Sequence, residues 1–150
     1  MIILVVILLI GGTWIWIGKK AAPQSAASDY KNATYVIAGK PVTLVNGRAE
    51  SENAQGLASK TVTQYFGNEA IGDLNKDGVP DVVFLLTQNG GGSGTFYYAV
   101  IALKTRDGYK GTNAMFLGDR IAPQTTEIHD GRAVVNFAER RADESFAVRP

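Results

Sequence analysis

In GDLNKDGVPDVVFLL, residues 72–86, four oxygen-bearing side chains recur on a regular spacing. Counted from Asp73 as position 1, Asn75 stands at 3, Asp77 at 5 and Asp81 at 9, with Gly78 at 6. This alternation lets successive side chains of a tightly wound loop converge on one point, while glycine permits the turn and the Val79 carbonyl can add a further oxygen. Hard carboxylate and carbonyl oxygens suit Ca²⁺, and nothing in the segment supplies the nitrogen or sulfur that zinc prefers. Glu69, Asp73, Asp77 and Asp81 stand against Lys76 alone, a local charge of −3 that a dication would relieve. The competing reading is a plain turn, in which Asp and Asn only cap backbone N–H groups.

The pattern is not an EF-hand, because the bidentate glutamate required at position 12 is here Phe84 and a strand follows instead of a helix. It resembles the D-x-[DN]-x-DG-x-x-D calcium loop of FG-GAP and VCBS-type repeats, in which the loop leads into a buried strand. The resemblance implies Asp73, Asn75, Asp77 and Asp81 as side-chain ligands and Val79 as a backbone ligand of one structural Ca²⁺. The motif occurs once, where propeller proteins carry several copies, and Pro80 constrains the loop. More broadly, TYVIAGKPVTLVNG together with GDLNKDGVPDVVFLLTQNGGGSGTFYYAVIALKT resembles a group of uncharacterised membrane-anchored bacterial envelope proteins, a resemblance that brings no activity with it.

Other chemistry is sparse. The chain has no cysteine, and its one histidine, His129, falls in IHDG, which reads as a hairpin turn. NGGGSG at 89–94 is followed by a strand and no GK[ST], so it reads as a hairpin tip and not a phosphate loop. Ser93 in GGSGT misses the nucleophile-elbow pattern, and GLASKT at 56–61 lacks the glycines of a Walker loop. Phe96, Tyr97 and Tyr98 read first as core and second as a ligand platform. Glu69, Asp119 and Glu127 are the carboxylates that a hydrolase would use, provided two of them faced one cleft.

The elements that must position these residues are short β-rich runs punctuated by turn dipeptides. TYVIA and PVTLV flank Gly39 and Lys40, NG at 46–47 leads into RAESE, and TVTQYF at 61–66 precedes the acidic loop. VVFLL, FYYAVIALKT, YKGTNAMFLG, RIAPQTTEI and RAVVNFAE follow, the last two around HDG. No segment after residue 20 shows a sustained 3.6-residue apolar period, although residues 51–60 have room for one helical turn. The expected fold is mainly β, a small antiparallel sandwich or barrel-like domain with VVFLL and YYAVIAL as central strands, preceded by one N-terminal transmembrane helix.

MIILVVILLIGGTWIWIG carries no charge over residues 1–18 and ends at Lys19 and Lys20. At ~1.5 Å per residue it spans about 27 Å as a helix, close to the ~30 Å hydrocarbon thickness of a bilayer. Trp14 and Trp16 suit the headgroup interface. A cleaved signal peptide is the competitor, with SAAS at 25–28 as its cleavage site. The expected organisation is an anchor over residues 1–20, a spacer over 21–33 and a β domain over 34–150, whose closing ESFAVRP reads as the start of a further strand. Beyond Lys20 there are 13 basic and 14 acidic residues, a balance that argues against nucleic acid as a partner. The partners expected instead are the bilayer and a protein or glycan of the envelope. The positive-inside rule applied to the two lysines alone would place the domain in the cytoplasm. The envelope resemblance favours the extracytoplasmic side of a bacterial cell membrane. The resulting expectation is a single-pass binding module, with an envelope hydrolase or a cytoplasm-facing accessory subunit as alternatives.

Overall fold

The computed structural model describes residues 29–52 and 59–139. The expected membrane helix, most of the spacer and the closing strand lie outside the described residues. Among those described, no helix is long and apolar enough to cross a membrane.

The fold is already in place at Asp29, ahead of the expected start at Thr34. Asp29 caps a 3-10 turn over Tyr30–Asn32, its carboxylate accepting the Lys31 N–H at 2.9 Å, and Ala33 is buried. Aromatic packing accounts for the early start, because the Tyr30 ring lies 5.4 Å from that of Phe84 in the core. Next come β1 (Thr34–Ile37) and β2 (Lys40–Thr43), paired antiparallel. Their turn has Ala38 and Gly39 at φ 49° and 78°, two positive values as a type I′ hairpin needs. Asn46-Gly47 and Asp130-Gly131 make the same turn, as the NG and DG dipeptides foretell.

A six-stranded antiparallel sheet follows: β3 (Arg48–Glu52), β4 (Lys60–Gly72), β5 (Asp81–Asn89), β6 (Phe96–Thr105) and β7 (Gly108–Gly111) in that order, with β8 (Met115–Asp119) also on β6. Ser51, Glu52 and Lys60 belong to strands, their backbones pairing across β3 and β4, and residues 53–58, which hold the rest of the room for a helical turn, lie outside the described residues. β4 is twice the length that TVTQYF foretold. Register shifts between Tyr65 and Gly67 and between Gly67 and Ala70 let it keep pairing with β5, with Gly67 and Asn68 at positive φ in between. β9 (Ala122–His129) and β10 (Arg132–Ala138) form a separate hairpin that packs on β4, Ile128 against Gly72.

Residues 81–86 are buried without a break, which is why VVFLL lacks alternation: both faces of β5 are covered. On one face Val82, Phe84 and Leu86 meet Val100 and Ala102 of β6 under Tyr35, Ile37 and Leu44. YKGTNAMFLG is split where β1 joins the sheet, since Val36 donates its N–H to the Thr112 carbonyl and its own carbonyl accepts from Ala114. Gly111 is required there, because a Cβ would strike the Thr34 carbonyl and the Tyr35 ring.

Candidate functional site

The acidic loop joins β4 to β5, the most buried strand of the sheet. Lys76 and Gly78 at φ 62° and 83° wind it tightly enough for its side chains to reach its own backbone. Asp73 accepts from the N–H of Asp77 at 3.2 Å and of Gly78 at 2.8 Å. Asp77 accepts from the Val79 N–H and the Asn75 side-chain amide, each at 2.8 Å. The Asn75 side-chain oxygen Oδ1 accepts from the Asp77 N–H at 3.0 Å.

Asp81 differs from its neighbours. It is 0% exposed, whereas Asn75, Asp77 and Val79 are exposed and Asp73 is half-buried. Its two oxygens accept from the N–H of Leu74 at 3.1 Å and of Lys104, on β6, at 2.8 Å. Among the described residues no Lys, Arg or His forms an ion pair with it. The tip of the β9–β10 hairpin also reaches the loop: a Cβ on Gly131 would lie 3.5 Å from Lys76 Cε and 3.6 Å from the Leu74 carbonyl oxygen.

These residues fit a hard dication by donor type, every donor being oxygen. Each of the three carboxylates accepts two hydrogen bonds, and a carboxylate has about four lone-pair sites, so each keeps acceptor capacity. The hydrogen bonds are also those of a self-capped turn, and among the described residues no group of three His, Cys, Asp or Glu is placed to hold a metal ion.

The carboxylates suggested for hydrolysis have separate partners. Glu69 Oε2 accepts from the hydroxyls of Tyr30 at 2.9 Å and Tyr65 at 2.7 Å. Burial, and then the bond to Glu69, push Tyr65 up to about 12 and Tyr30 up as well. Asp119 pairs with Arg120 and accepts from Thr95 N–H, and Glu127 lies 2.7 Å from His129 Nε2. His129 is the last residue of β9, and Asp130 and Gly131 make the turn.

Of the aromatic trio, Tyr97 meets Phe66 edge to face at 5.3 Å. Phe96 and Tyr98 share the opposite face with Phe116 of β8, at ring separations of 6.2 and 5.4 Å. Phe116 is 57% exposed and Phe96 38%, so these two form a surface shelf, while Tyr98 packs against the core as expected. Phe116 and the polar residues beside the shelf were not singled out by sequence; the only signal for them is cross-strand register. Comparison with protein families, with curated proteins and with solved structures finds no match.

Proposed function

We propose that the chain is a binding module of the bacterial envelope, a barrel-like or sandwich β domain carried on the extracytoplasmic side by a membrane helix over residues 1–18. One structural Ca²⁺ stiffens it, held by Asp73, Asn75, Asp77, Asp81 and the Val79 carbonyl. The ion supplies charge neutralisation and no reaction step. The observation that carries this reading is Asp81, a fully buried carboxylate at the foot of the central strand that has no ion-pair partner among the described residues. A buried charge of that kind is costly unless hydrogen-bonded and neutralised. A hydrolase gains no support, because Glu69, Asp119 and Glu127 are engaged with different neighbours.

Calcium titration followed by thermal melting tests the ion. At about a hundredfold excess over Kd the stabilisation is about 2.7 kcal/mol. The midpoint should rise for the wild type, fall back with EDTA and stay fixed in Asp77→Ala. A wild-type curve indifferent to calcium removes the ion. Added protease on whole cells tests orientation: a domain that survives it, while being cut in lysed cells, faces the cytoplasm.

A further inference from the structure

At the end of the sheet away from the acidic loop, the β1–β2 hairpin leaves part of the sheet uncovered among the described residues. A cleft of about 340 Å³ lies between β2 and β3, with Ser51, Thr61, Thr63 and Gln88 among its lining residues. A second hollow of about 430 Å³ is lined by Ala38, Gln88, Phe96, Tyr98, Ala114 and Phe116. Ala38 and Gln88 line both, so the two form one continuous groove.

The groove crosses the strands. Ala49, Thr63, Gln88 and Phe96 are successive cross-strand partners, and Leu86, Tyr98 and Phe116 form the adjacent row. Three strand spacings of ~4.8 Å make the first row about 14 Å long. Its β3–β5 half offers hydroxyls and a carboxamide, Gln88 Nε2 donating to Thr63 Oγ1 at 3.2 Å. Its β6–β8 half is the aromatic shelf. Charge is balanced along it, since Lys40 and Glu52 both line it, and Glu50 is ion-paired with Arg48 and Lys60.

Both strand edges that border the groove are poor templates for an added peptide strand. Val36, opposite Pro41, directs its N–H and carbonyl away from β2 to Thr112 and Ala114, so Pro41 and Thr43 are the β2 residues whose backbone turns outward, and Pro41 has no N–H to give. On β3, Gly47 bonds Tyr65, so Arg48, Glu50 and Glu52 alternate outward; Arg48 is spent on Val45, leaving two glutamates to guard the edge. What remains is neutral hydrogen-bonding side chains beside flat apolar rings.

We propose that this groove binds a neutral oligosaccharide, its hydroxyls on Ser51 and on Gln88, which the buried Thr63 holds in place, and the apolar face of a ring on Phe96 and Phe116. The proposal rests on reading the domain as a binding module and names its ligand class. Full-length chain in a sugar-free detergent is titrated calorimetrically with maltohexaose, cellohexaose and chitohexaose. At least one should bind saturably, with affinity reduced about tenfold by Phe116→Ala and by Gln88→Ala and unchanged by Ile71→Ala, an exposed site near the acidic loop. No saturable binding to any of the three, or equal affinity in wild type and both groove variants, overturns the proposal. A phage-selected peptide that binds wild type and loses affinity in Phe116→Ala, with no sugar bound, overturns the ligand class and leaves the module reading standing. Sugar binding without a calcium effect on melting removes the ion and leaves the groove.

Discussion

At its first residue β5 buries a carboxylate under two backbone N–H groups; near its last, the same strand sets the half-buried Gln88 carboxamide between the Thr63 hydroxyl and aromatic rings. The Asp81 end is tied to β6 through Lys104 and touched by the β9–β10 tip, so its carboxylate is sealed inside the fold. The Gln88 end is bordered by β2, which shares no strand ladder with β3. One strand therefore carries a fully buried polar group at one end and a half-buried one bordering a groove at the other. Polarity in a sheet takes its meaning from what covers it.

The contrast breaks if the two ends respond alike to truncation. Asp81→Ala orphans two N–H groups at about 1–3 kcal/mol each, an expected loss of about 4 kcal/mol. Gln88→Ala forfeits one hydrogen bond, about 1 kcal/mol. Urea unfolding of both variants in EDTA gives the comparison, and equal losses would erase the distinction.

Between the two ends, Tyr65→Phe removes the hydroxyl bound to Glu69 and should cost about 1 kcal/mol by the same measurement. Its pH dependence fixes the cause. Because the folded Tyr65 titrates at about 12 against an ordinary 10.0, its contribution is whole below pH 10 and is lost as pH rises through 12. Alkaline melting curves should lose stability in that window, less steeply in Tyr65→Phe, with the other tyrosines that burial pushes up, Tyr30, Tyr35, Tyr97 and Tyr98, supplying the remainder.

The smallest effect sharpens the contrast from the other side. Phe116→Ala, at an exposed ring, should change unfolding free energy by no more than about 0.5 kcal/mol. A larger loss in urea unfolding would make the shelf a piece of core.

The strands and turns were legible because their signals are local. NG and DG specify positive φ over two residues, and the unbroken apolar run of Val82–Leu86 can only be satisfied by cover on both faces. The oxygen spacing of 73–81 is likewise a property of consecutive residues, and so is the closeness of its Asp side chains to their own backbone. Less legible were the length of β4 and the breadth of the groove. Two register shifts decide which residues of β4 oppose β5, and a slip of one would turn Thr63 away from Gln88. Nor does the sequence say that the N–H of Lys104, 23 residues on, closes over Asp81. Residue type and local spacing determined which groups this chain has available; strand register and the path of the β1–β2 hairpin decided which are sealed in and which face outward, because burial depends on neighbours that no local pattern names.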